Sequence, residues 1–164
     1  MLPLIASLSA CSRIYDYPQV AVVEKYRSLD AQGANFDSRD PNMKVIGQLL
    51  VNEDEAGYDS SVVIASSRIS KMTSGDSTAD VEVIYQDLGV MDTTPSFQSN
   101  RRAETVNFHL TKIGGAWKID GLRQPPHISK AWALSMLRKE LASTLGTGKQ
   151  DPGFNKMIEE ISRE

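Results

Sequence analysis

The sequence is poor in the residues that announce common chemistries. Cys11 is the one cysteine of the chain, so no internal disulfide exists and the fold depends on none. The two histidines, His109 and His127, lie far apart in the sequence. They form no cluster at metal-ligand spacing, so neither a metal nor another cofactor is expected. No run of 18 apolar residues occurs, which argues against a bilayer-spanning helix. Charge of one sign is lacking too: 18 basic and 21 acidic residues leave a net −3. That balance supplies no pull toward nucleic acid, and no nucleic-acid partner is expected. Arg101, Arg102 and Lys112 read as scattered, solvated charges. There is no G-x-G-x-x-G, no G-x-S-x-G elbow and no phosphate loop, and Gly146-Thr147-Gly148-Lys149 lacks the spacing of the last. Internal repeats and low-complexity segments are absent as well.

What remains is ordinary material for one globular domain. The chain has 164 residues, 40% hydrophobic and 24% charged, enough to bury a real core.

The first eleven residues are the most telling. Residues 1–8 are mostly apolar, followed by Leu8-Ser9-Ala10-Cys11. This string resembles the bacterial lipobox: an aliphatic residue, two small residues and a cysteine. The resemblance implies a signal peptide over 1–10, and a diacylglyceryl group on Cys11 that holds the protein at a membrane. The apolar stretch is short and no Lys or Arg precedes it, so the true start is expected further upstream. Ser12, rather than Asp, leans toward the outer membrane and a domain facing the periplasm. The competing reading makes 1–11 a buried first element with Cys11 in the core.

Residues 11–17 read as a tether. Asp16 and Pro18 open a helix carrying Val22, Val23, Tyr26 and Leu29, ended by Gly33. Asp40-Pro41 opens a second, with Met43, Ile46, Gly47 and Leu50 on one stripe, broken by Gly57. The period then changes to two. Strands are expected at 61–72, 78–90, 101–113 and 116–122, separated by the turn 73–77, a polar loop over 91–100 that contains Pro95, and the hairpin Gly114-Gly115. Ser129 caps a third helix with Leu134, Leu137, Leu141 and Leu145, stopped by Gly146. A link over 146–150 leads to Asp151-Pro152 and a short helix with Phe154, Met157, Ile158 and Ile161.

The expected fold is therefore α+β: N-terminal helices packed on a curved, four-stranded antiparallel meander, followed by a C-terminal helix extension. The domain spans 18–145, with 146–164 as linker and last helix. Helices followed by long hairpins, and the string Trp117-Lys118-Ile119-Asp120 after Gly114-Gly115, resemble the nuclear-transport-factor-2-like superfamily with its cystatin-like cone. The resemblance covers roughly 18–123, and the helix at 129–145 departs from its simplest form.

That superfamily includes isomerases, dehydratases and epoxide hydrolases, which hold a few polar groups in an apolar pocket. The resemblance makes Tyr26, Tyr85, Asp87 and His109 the candidates, none of which matches a family catalytic motif. Tyr85 and Asp87 share the face of Val81 and Val83 if the strand stays regular. His109 lies opposite Phe108. Each has a plainer reading: core tyrosines, a solvated or bulged aspartate, an exposed histidine. Enzyme function is thus the weaker expectation. The stronger one is an envelope lipoprotein that binds a partner protein, through the cone or the leucine helix, or a small apolar ligand. A cytosolic immunity-type inhibitor with a chance lipobox is the remaining alternative.

Overall fold

The structure, a computed structural model, describes residues 14–36, 40–52, 58–92, 96–145 and 152–164. Leu8, Ser9, Ala10 and Cys11, the string that resembles a lipobox, lie outside this range. So do Gly57, Pro95, the link at 146–150 and Asp151.

A 3-10 turn, Ile14–Asp16, precedes α1 (Pro18–Ala31) and α2 (Pro41–Leu49). Ile14 already packs against the core. Tyr17, not Asp16, stands at the N-cap of α1, and it makes no side-chain capping bond. Pro18 sits in the first turn, where a missing N–H costs nothing. The buried stripe of α1 is Gln19, Val20, Val23, Tyr26 and Asp30, while Val22 and Leu29 only border the core. Gly33 is left-handed, with φ +81°. Its N–H donates to the Asp30 carbonyl (2.8 Å), and Ala34 N–H to that of Leu29 (3.1 Å). This paired closure of a helix end is a Schellman turn. α2 is capped as expected: the Asp40 carboxylate accepts the Asn42 N–H at 2.7 Å.

The strands β1 (Ser60–Ser74), β2 (Thr78–Asp92), β3 (Phe97–Ile113) and β4 (Ala116–Asp120) form the expected meander, and β1–β3 run longer than their periodicity shows. The sheet is nevertheless not the four-stranded antiparallel one expected. His127–Ser129 makes a fifth strand, β5, parallel to β1, and the order is β4-β3-β2-β1-β5. A three-residue strand after Pro125-Pro126 is too short for a periodic signal. Its place comes from β1, whose Val62 N–H donates to the Pro126 carbonyl at 2.8 Å. Gly114 and Gly115 both have positive φ, as a two-residue type I′ hairpin requires. Irregularities at Val63/Ile64, Ile64/Ser66 and Ile69/Lys71 of β1 and at Asp87/Gly89 of β2 interrupt the ladders. Such bulges bend a sheet, and this one curls into a half-barrel.

Each face of the sheet has its own core. Val62, Ile64, Val81, Val83, Tyr85, Phe108, Leu110 and Ile119 join Val20, Val23 and Tyr26 of α1 and Ile46 of α2. Val63, Leu88, Met91, Phe97 and Ile128 join α3 (Lys130–Leu145) and α4 (Pro152–Arg163) through Ala133, Leu137, Met157 and Ile161. Ser129 caps α3, its hydroxyl accepting the Trp132 N–H at 3.2 Å. Leu137 is fully buried and Leu134 packs beside it. Leu134 and Leu137 of the leucine stripe therefore belong to the core formed with the sheet and α4, and are not free to present a docking face. No described helix is long and apolar enough to cross a membrane.

Candidate functional site

Tyr26 and Asp30 are one turn apart on α1 and face the sheet together. The Tyr26 ring meets Phe108 edge-on, with centroids 5.7 Å apart. Asp30 has no exposed surface. The Schellman turn brings Asn35 back beside it, and the Asn35 amide donates to Asp30 Oδ1 (2.8 Å) and to Tyr26 Oη (3.1 Å). Asp30 Oδ2 accepts the backbone N–H of His127 at 2.8 Å. Helix α1 is thereby tied to β5.

On the sheet, alternation holds from Val81 through Tyr85 to Asp87 and breaks at the bulge that follows. Tyr85 and Asp87 are both buried on the expected face. Their partners on β3 are Glu104 and Arg102. Arg102 Nε donates to Asp87 Oδ2 (3.1 Å), and Nη2 to Glu104 Oε2 (2.8 Å). The guanidinium is half exposed while the Asp87 side chain is 3% exposed. The His127 ring stacks on Tyr85, with centroids 4.1 Å apart and an interplanar angle of 27°. Donor atoms of Asp87, Glu104 and His127 all lie within 4.8 Å of one another.

These groups are under-bonded. Tyr85 Oη, Asp87 Oδ1, both ring nitrogens of His127 and both amide atoms of Gln124 are buried without a hydrogen-bond partner in the protein. Gln124 lies beside the Tyr85 hydroxyl, but outside hydrogen-bonding geometry. An unpaired buried polar atom costs about 1–3 kcal/mol, and native proteins hold few of them. Four adjoining residues carry such atoms, so their hydrogen-bonding capacity is open to water, an ion or a ligand.

Burial sets the protonation states. It pushes the Asp30 carboxyl up to about 7, against the lowering effect of the His127 N–H and Asn35. The His127 imidazole is pushed down to about 4, chiefly by burial, so it is neutral at pH 7. Burial raises Tyr26 and Tyr85, and the nearby Asp30 charge adds to both. Asp87 is raised by burial too, with the Arg102 hydrogen bond opposing.

The structure thus brings Tyr26, Tyr85 and Asp87 to one interior, and leaves His109 out. His109 is half exposed on the other face of β3, its Nδ1 2.8 Å from Asp80 Oδ1. Sequence reasoning missed Asp30, Arg102, Glu104, Gln124 and His127. Three of these carried a signal. Asp30 lies one turn beyond Tyr26, and Arg102 and Glu104 share the alternation of Val106, Phe108 and Leu110. Gln124 and His127 flank two prolines, outside any periodic element.

No family model and no curated protein matches this chain. Among solved structures, the intermembrane space region of the chloroplast protein ARC6 is similar. That likeness covers 61% of this chain and 88% of the other, at 13% identity and a TM-score of 0.42. It is distant, and no functional statement follows from it.

Proposed function

We propose that this protein is an envelope lipoprotein, anchored through a lipid on Cys11 and facing the periplasm, whose single domain is a binding module. Its ligand site is the polar interior bounded by Tyr85, Asp87, Gln124 and His127. The lipobox sequence supports the anchor. The cluster of buried polar atoms without partners carries the binding reading, because a ligand able to hydrogen-bond there would remove their penalty. The ligand is then small and polar, in place of the apolar one that the leucines and the cone suggested. With α3 packed on α4, a partner protein has less to recommend it than a ligand held inside.

Two measurements test this. Intact mass and membrane fractionation of the full native gene product, beside Cys11→Ser, should show an acylated membrane protein and an unmodified soluble variant. Two unprocessed soluble products would sink the anchor. Native mass spectrometry of the protein from its own host should then show a retained small molecule that is lost in Tyr85→Phe and His127→Gln. A ligand-free spectrum, together with no rise in Tm across a library of polar metabolites, would sink the binding reading.

A second reading, a pocket enzyme of the isomerase or dehydratase type, is favoured by one observation. The His127 imidazole, neutral at pH 7 and stacked on Tyr85, carries a lone pair that can accept a proton. Both Asp30 oxygens already accept hydrogen bonds, so His127 is the base in that reading and Asp30 positions its backbone. Turnover of a bound metabolite that survives His127→Gln would rule it out.

A further inference from the structure

We infer that Asp87, Glu104 and His127 form a site for a divalent transition-metal ion, with Zn²⁺ as its probe, an inference that rests on the ligand-site reading above. The three side chains come from β2, β3 and β5, and their donor atoms lie within 4.8 Å of one another. Bonds of about 2.0–2.2 Å to a shared ion put tetrahedral donors roughly 3.3 Å apart. Side-chain rotations of about an ångström therefore close the trio on an ion. Glu104, partly exposed, is the arm with room to move.

An acidic pair beside a histidine would say little alone. The independent observation is His127 itself: it is 2% exposed, and neither ring nitrogen makes a well-aligned hydrogen bond, the Pro125 carbonyl being the acceptor nearby. Asp87 Oδ1, likewise buried, has none either. A metal takes up the one free lone pair of the neutral imidazole and one from an Asp87 carboxylate oxygen. A metal-bound imidazole commonly gives its other N–H to a backbone carbonyl, and the Pro125 carbonyl lies beside this ring. One nitrogen and two oxygens favour zinc, manganese or cobalt over calcium and magnesium, which prefer all-oxygen sets. Three protein ligands leave a coordination position open, where a small polar ligand can be held.

Arg102 is the competitor. Its guanidinium bonds Asp87 and Glu104 in the place where a cation's charge is wanted, and it is 53% exposed, with water to swing into. The two cations exclude one another by charge. Hence Arg102→Gln tightens metal binding, an outcome that a merely structural carboxylate pair would not produce.

The experiment is calorimetric titration of ZnCl2 into the EDTA-stripped, dialysed full chain at pH 7, with Cys11→Ser in parallel to take the thiol out of play. The expected result is one saturable site in both. Glu104→Gln, a partly exposed change compatible with folding, should weaken it about 10–100-fold, Arg102→Gln should tighten it by about tenfold, and His127→Gln should abolish it. Absence of saturable binding, or binding indifferent to Glu104→Gln and Arg102→Gln, overturns the inference. The polar-metabolite screen, repeated in EDTA, separates the two claims. A ligand that raises Tm without metal, with no zinc binding, removes the metal and leaves the ligand site standing. Failure of both removes both.

Discussion

Asp30, one residue from the end of α1, holds the backbone N–H of His127, 97 residues further along the chain, in a 2.8 Å hydrogen bond with both groups buried. Removing that acceptor strands a buried N–H at the start of β5. At pH 5, where the carboxyl is protonated in the fold, Asp30→Ala should lower stability by roughly 1–3 kcal/mol. Urea denaturation measures the loss, and hydrogen exchange should show the His127 amide losing protection ahead of β2 and β3. Unchanged protection would mean that β5 is held by β1 alone.

Asp30 and His127 should also oppose one another as pH changes. Asp30 moves from 3.8 up to about 7 on folding, so between those values the folded state holds the extra proton and stability falls as pH rises. His127 moves from 6.5 down to about 4, so there the unfolded state holds the extra proton and stability rises with pH. Asp87, raised as well, adds to the falling side. In EDTA the wild type should therefore show a shallow fall between pH 4 and 7. Asp30→Asn should reveal the rising limb and His127→Gln should steepen the fall. Parallel curves for all three proteins would contradict the assignment.

Gly33 is constrained twice. Its φ of +81° is disfavoured for any other residue, and an added Cβ would lie 2.1 Å from the Trp132 indole. Gly33→Ala should cost more than the roughly 1–2 kcal/mol of left-handed backbone alone. Adding Trp132→Ala should recover part of the loss. A double-mutant cycle by chemical denaturation reads the coupling, and strictly additive losses would place the whole effect in the backbone.

Leu137 anchors the second core, with Met157 and Ile161 from α4 and Val63 from β1. Leu137→Ala should cost about 2–5 kcal/mol and release α3 and α4 to proteolysis before the sheet. Zinc affinity should hold in the surviving fold, because the metal trio lies on strands. His109→Ala, at an exposed pair with Asp80, should leave stability within about 0.5 kcal/mol.

Much of the frame was legible because its signals are local. Pro18 and Gly33 bracket α1, Asp40 and Ser129 act as caps, and Gly114-Gly115 turns a hairpin, each through its own backbone. Alternation through Val81, Val83 and Tyr85 put Asp87 on their face, and its burial there corrects the plainer reading of a solvated aspartate. The same rule applied to Val106 and Phe108 puts Glu104 and Arg102 beside it.

What the chain determined alone is the order of its main helices and strands and the faces they bury, since propensity, period and short motifs act over a few residues. Tertiary structure decided the rest. Three residues after two prolines become β5 only because β1 offers an open edge and Asp30 an acceptor. His127 meets Asp87 and Glu104 only because bulges curl the sheet until its strands converge. Leu137 belongs to a core rather than a docking face only because α4 folds back onto it. None of these contacts is written in spacing, because each joins segments whose separation along the chain says nothing of their distance in space.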